Sequence, residues 1–265
     1  MVERPGTVSL VWKVLKVWSR HFRPQNFLKN AEAPRFTVAW FTHGQVRPLA
    51  EVCPSFASPA QLSPRTSGCH RLADYLEAIK KEFDKALDVY RTNCDDNKYG
   101  KSCFKYGNYK LIGKGCTEDK PEALKYYRKG CDAGCAQSCF AVGLMLTSSD
   151  AIPGVAKDNR LGMEFLDKAC TMGNAEGCFF ASGQLIAGDR PGIPRDMRKA
   201  FGYTERACEL GNMYACSNLS LMYNKGEGVT KDEEKARVYR QKVLDFKDSV
   251  QKRQRTIEME QGITT

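Results

Sequence analysis

Residues 129–140 read KGCDAGCAQSCF and place Cys131, Cys135 and Cys139 four residues apart. Thiols in such a run can hold a metal, exchange disulfides or staple the backbone. Zinc asks for four Cys or His ligands converging tetrahedrally. The chain has three histidines, His21, His43 and His70, and none falls in register with this run. A redox centre asks for a thiolate tuned at a helix N-terminus, commonly in Cys-x-x-Cys, a spacing that none of the twelve cysteines forms. The stretch alone does not choose between these chemistries, but the pattern returns along the chain.

Four segments align: GCTEDKPEALKYYRKGCDAGCAQSC (115–139), GVAKDNRLGMEFLDKACTMGNAEGC (154–178), GIPRDMRKAFGYTERACELGNMYAC (192–216) and GVTKDEEKARVYRQKVLDF (228–246). Each opens Gly-x-x-x-Asp, giving Asp119, Asp158, Asp196 and Asp232. A small residue follows four positions on, namely Ala123, Gly162, Ala200 or Ala236. Twelve positions past the Asp stands Cys131, Cys170 or Cys208, and then Cys139, Cys178 or Cys216. Glu82, Ala86, Cys94 and Cys103 form a degenerate earlier copy. Cys69, Cys103, Cys139, Cys178 and Cys216 are separated by 34, 36, 39 and 38 residues, the period of a helical repeat.

The elements that must carry these cysteines follow from the same alignment. After each marker cysteine, runs such as CFKYGNYKLIG and CSNLSLMYNKG place apolar residues at helical spacing, with a small residue four positions in: Ala73, Gly107, Gly143, Ser182, Ser220. Small residues at one fixed place let helix backbones approach closely. A Gly-rich loop follows, and the Asp then occupies a favoured helix N-cap, against the positive end of the helix dipole. The second helix ends near Cys-x-x-Gly, where Gly suits a left-handed residue after a helix. Tyr126, Tyr127, Phe165 and Tyr203 lie at helical spacing and read as core. The expected fold class is all-α: an α-solenoid of about five helix-loop-helix, TPR-like repeats, each burying its apolar face on its neighbours.

Cys94/Cys103, Cys131/Cys139, Cys170/Cys178 and Cys208/Cys216 each join the end of one helix to the start of the next. Disulfides are the favoured reading, ahead of reduced structural cysteines or metal ligation. Cys135 is the odd thiol, since Asn174 and Asn212 occupy its aligned positions. Cys116 stands where later copies have Val155, Ile193 and Val229. With Cys69 and Cys53 these two make the set of candidate free or redox-active thiols. No metal site and no cofactor is expected.

Composition narrows the classes. The formal charge is +10, but residues 1–68 hold nine basic and three acidic residues, so most of the basicity lies there. The remainder mixes its signs, which argues against a nucleic-acid-binding face. No run approaches the roughly 20 apolar residues of a membrane span; VSLVWKVLKVW (8–18) is broken by Lys13 and Lys16. Residues 1–68 read as a disordered or targeting-like basic segment, with a basic amphipathic stretch of presequence kind. Residues 69–250 read as the repeat domain and 251–265 as a polar tail.

These units resemble Sel1-like repeats, whose hallmark G-x-G-V-x-x-D-x-x-K-A is closely matched by GEGVTKDEEKA (226–236). The added cysteine pairs resemble the cysteine-rich Sel1 subgroup, which includes bacterial secreted proteins once labelled β-lactamase-like. CHRLADYLEAIKKEFDKALDVYRTNCDDN (69–97) with KSCFKYGNYKLIGKG (101–115) is similar to the cytochrome c oxidase assembly factor 7 family of animal mitochondria. That resemblance spans about residues 69–245. It implies a disulfide-stapled solenoid in the mitochondrial intermembrane space, a non-enzymatic scaffold whose partners are proteins of complex IV assembly. The family places a cysteine before Cys69 where this chain has Ala60 and Gln61; the nearest candidate here is Cys53.

Hydrolytic chemistry lacks its parts. SCFK (102–105) matches Ser-x-x-K, but no S-D-N or K-T-G accompanies it, so the serine-acylation machinery is incomplete. The alternatives to a scaffold are a thiol-disulfide active chaperone of client cysteines and a Sel1-type adaptor of the endoplasmic reticulum.

Overall fold

The computed structural model describes residues 62–260. Ten α-helices follow one another there: α1 Leu62–Tyr75, α2 Phe83–Asp95, α3 Gly100–Ile112, α4 Lys120–Asp132, α5 Ala136–Thr147, α6 Asn159–Thr171, α7 Ala175–Ala187, α8 Met197–Glu209, α9 Met213–Lys225 and α10 Glu233–Glu260. A π-helical turn, Leu76–Lys80, joins α1 to α2. A two-stranded antiparallel ribbon, Asp189–Arg190 with Ile193–Pro194, lies between α7 and α8. Packing is closest within α3/α4, α5/α6, α7/α8 and α9/α10, and each pair also packs on the next. This is an α-solenoid.

The repeated Asp explains where the second helix of each unit begins. Asp119, Asp158, Asp196 and Asp232 accept hydrogen bonds from the backbone N–H of Glu122, Leu161, Lys199 and Lys235 at 2.8, 2.9, 3.0 and 2.9 Å. Each satisfies one amide that the helix leaves unpaired. We expect Asp158→Ala to lower stability by about 1 kcal/mol. A shift in urea midpoint at unchanged m-value would report it, and an unchanged midpoint would count against the cap.

The small residues do what their spacing implies. A Cβ built on Gly107 would lie 2.6 Å from the Tyr127 ring, and one on Gly143 would lie 2.7 Å from Leu166 Cγ. In the next unit the contact becomes a hydrogen bond between Ser182 and Thr204, 2.5 Å apart and both buried. In the last unit Ser220 donates to the Ala236 carbonyl at 2.7 Å. The residue eight past the Asp therefore meets the small residue of the preceding helix in three successive units. Tyr126 and Tyr127 are buried, while Phe165 and Tyr203 are partly buried against the same clusters.

The boundaries expected at 68/69 and 250/251 both fall inside helices. Cys69 sits within α1, and Thr66, already buried, accepts a hydrogen bond from Asn93 through its carbonyl at 3.0 Å. At the other end no Gly or Pro interrupts the chain before Gly262, so α10 continues through 250. Nor is α10 polar throughout: Leu244, Phe246, Val250 and Ile257 are among its exposed large apolar side chains.

Candidate functional site

The cysteine pairs come together as the alignment aligns them. Cys94–Cys103, Cys131–Cys139, Cys170–Cys178 and Cys208–Cys216 are disulfides, with Cα atoms 4.8, 4.6, 4.5 and 4.7 Å apart. Each closes the corner between the second helix of one unit and the first helix of the next. Gly134, Gly173 and Gly211 turn three of these corners at φ of 80°, 84° and 93°, a region that costs a glycine nothing. All eight sulfur-bearing residues are at most 4% exposed. Thiol attack on a disulfide needs access to a sulfur, so this burial fits staples better than exchanging centres.

Cys116 and Cys135 are free. Cys116 is half-buried, its Sγ 3.6 Å from the Tyr109 carbonyl, and burial raises its pKa. Cys135 is 5% exposed and occupies the N-cap of α5 without making a side-chain cap. Its aligned residues Asn174 and Asn212 do cap, accepting from Gly177 and Ala215 N–H at 2.6 and 2.9 Å. Cys135 thus stands where two other units use a polar acceptor. Cys135→Ser, nearly isosteric, should be neutral to stabilising, by up to about 1 kcal/mol, with the four disulfides unchanged by peptide mapping. A loss of stability would show that the thiol has a packing role that the cap does not explain. Cys69, named above among candidate free thiols, is instead disulfide-bonded; it sits buried among α1 and α2 residues, where a reactive thiol would be shielded anyway. Cys53 lies outside the described residues.

One cluster was not legible in the sequence. Glu77, on the π-turn, takes Lys114 at 2.6 Å and Lys105 at 3.0 Å. Burial works to raise the Glu77 pKa, but hydrogen bonds and charge from the two lysines outweigh it and hold the carboxyl below its usual range. Tyr90 O–H donates to Asp74 at 2.5 Å, and His70 lies between Ser102 (3.0 Å) and Asp74 (3.7 Å). Serine, histidine and aspartate thus stand in a row, yet Ser102 is fully buried and also accepts from Asn93 at 2.8 Å. A nucleophile must reach its substrate; this hydroxyl is sealed inside a helix interface. Lys105, the lysine of SCFK, is committed to Glu77. Among the described residues no three His, Cys, Asp or Glu side chains gather as metal ligands, and no helix is long and apolar enough to cross a membrane.

The surface that remains is distinctive in its charge. The helices α4, α6 and α8 are rich in charge, whereas α5 has no charged residue, α7 only Glu176 and α9 only Lys225. On these neutral helices Phe140, Leu144, Phe179 and Phe180 are half-buried, and Tyr214 is 70% exposed. Phe140 meets Phe180 at 5.3 Å between ring centroids, and Phe179 meets Tyr214 at 6.4 Å. An aromatic strip therefore crosses three successive units with almost no charge beside it. Strips of this kind are enriched at protein interfaces.

Comparison with known proteins agrees with this architecture. The Sel1 repeat family matches residues 100–135, 136–174, 177–212 and 214–242. The cytochrome c oxidase assembly factor 7 homolog of Drosophila melanogaster is 39% identical over 232 residues, covering 75% of this chain and 87% of that protein. Cytochrome c oxidase assembly factor 7 of Homo sapiens is 37% identical over 189 residues, covering 70% of this chain and 81% of that one. Among solved structures, a Sel1 repeat protein from Oxalobacter formigenes superposes with a TM-score of 0.60 at 22% identity, over 72% of this chain and 76% of its own. That likeness speaks to the fold alone. With repeats, staples and relatives in agreement, the chain belongs to the Sel1-repeat proteins of the cytochrome c oxidase assembly factor 7 family.

Proposed function

We propose that the chain acts in the assembly of respiratory complex IV as a non-enzymatic scaffold that binds assembly proteins in the mitochondrial intermembrane space. The relatives' names support the pathway. The observation that carries the scaffold reading is the uncharged aromatic strip across α5, α7 and α9, exposed where the rest of the surface is charged. Four buried disulfides fit an oxidising compartment and a rigid frame for such a strip. Burial of the disulfides, and of Ser102, leaves the frame without an exposed reacting group of either kind.

The test uses mitochondria depleted of the chain. Re-expression should restore complex IV on native gels, and the chain should resist external protease until the outer membrane is opened. A double charge variant, Phe180→Asp with Tyr214→Asp, should accumulate folded and disulfide-bonded but fail to restore complex IV. Full rescue by that variant would remove the strip from the proposal; no rescue by the unaltered chain would remove the pathway; early proteolysis would remove the compartment.

A further inference from the structure

The first half of α10 packs on α9 through residues at alternating three- and four-residue steps. Ala236 is buried, Tyr239 and Val243 are partly buried in the same cluster, and Ser220 ties α9 to the Ala236 carbonyl. The same steps continue past the end of α9 as Phe246, Val250, Arg253 and Ile257. Phe246, Val250 and Ile257 are 49%, 46% and 43% exposed, and every residue from 244 to 257 is solvent-facing. Fifteen residues from 246 to 260 make about four turns, or roughly 22 Å of helix, with an apolar seam that nothing covers. An established helix-helix seam thus runs on without its partner.

The residues beside the seam say what fits it. At the flanking positions of a heptad stand Arg240, Lys242, Lys247, Ser249, Gln254 and Thr256, three cations and no acid. Asp245, Asp248 and Glu258 occupy positions away from the seam. Arg253 stands in the seam itself, where a single charged residue fixes register and asks for a matching group opposite. A second copy would set these cations against each other and bury Arg253 without a counter-charge, which is costly. A membrane surface would want a broad apolar face, and this one is a single stripe with acids on the back. We infer that the overhanging half of α10 is a docking site for an amphipathic helix of a partner protein, with an apolar heptad seam, acidic flanks and one carboxylate opposite Arg253.

This deepens the scaffold reading by naming the chemistry of a partner, and it rests on that reading for its place in assembly. Its test does not involve complex IV, so the two can fail separately. The probes are two synthetic helical peptides sharing one Leu/Ile heptad seam with a seam glutamate set to face Arg253; one carries glutamates at the flanks and the other lysines. Titrated against the full chain by fluorescence anisotropy, the glutamate peptide should bind saturably and weaken with salt, while the lysine peptide should not bind. Val250→Asp and Phe246→Asp should each weaken binding roughly tenfold or more without moving the thermal midpoint, since both side chains are exposed. Arg253→Glu should weaken it too, and a peptide with lysine in place of the seam glutamate should restore it. Equal binding of both peptides, binding of neither, or no rescue by the swap would overturn the inference. So would a dimer by light scattering that Val250→Asp dissociates, or anionic vesicle binding that needs Phe246 and Val250.

Discussion

Reducing all four disulfides is expected to unfold the repeat domain. Each closes a loop of about nine residues, worth about 2–3 kcal/mol in the chain-entropy model. Four together amount to roughly 10 kcal/mol, within the range of about 5–15 kcal/mol that a whole domain has at its disposal. A solenoid has no central core to fall back on, because each unit contacts only its neighbours. The sulfurs are at most 4% exposed, so reductant alone will act slowly, and the fair measurement reduces the chain in denaturant before refolding. Circular dichroism should then show the oxidised chain regaining its helices and the reduced, alkylated chain failing to do so. Replacing Cys170 and Cys178 alone by Ala should lower stability by about 2–3 kcal/mol. A reduced chain that refolds fully would mean that close helix packing suffices, and that the cysteines serve something other than stability.

How much of this could be read from the sequence depended on whether a residue's role repeats. The Asp caps, the small contact residues and the paired cysteines recur at fixed offsets, so four copies argue for one another. Asn174 and Asn212 recur as well, and their alignment with Cys135 was visible; that they cap α7 and α9 could have been read from Asn at a helix start. The cluster around Glu77 could not be. Its lysines lie 28 and 37 residues away, it occurs in the first unit only, and it depends on a π-turn that periodicity does not announce. The helix ends were misplaced for a related reason. Cys69 marks a unit but not where its helix starts, and a stretch such as QKRQRTIEME looks polar until Val250 and Ile257 are placed on the seam that begins at Ala236. The neutral strip on α5, α7 and α9 was equally present in the sequence, but it becomes a surface only once the charged helices are seen to alternate with it.

Gly143→Leu is the single substitution with the largest expected cost. Gly143 on α5 and Gly162 on α6 face each other, so that a Cβ on the first would meet Leu166 Cγ at 2.7 Å and the Gly162 carbonyl oxygen at 3.0 Å. A Cβ on Gly162 would run into Thr147 Cγ2 and reach the Gly143 carbonyl oxygen at 3.2 Å. Leu166 is fully buried and Val142 beside it equally so, so neither can swing away into solvent. Leu at 143 must separate two helix backbones, and overpacking of that kind costs about 3 kcal/mol. Gly183, one repeat further on, has nothing within 4 Å of its Cβ position and is exposed. Leu there relieves the poor helix propensity of glycine and should stabilise by about 0.5–1 kcal/mol. The same substitution in two helices of the same kind should therefore move the urea midpoint in opposite directions. Equal shifts would mean that the solenoid yields at its α5/α6 contact, and the small-residue spacing would then reflect something other than close approach.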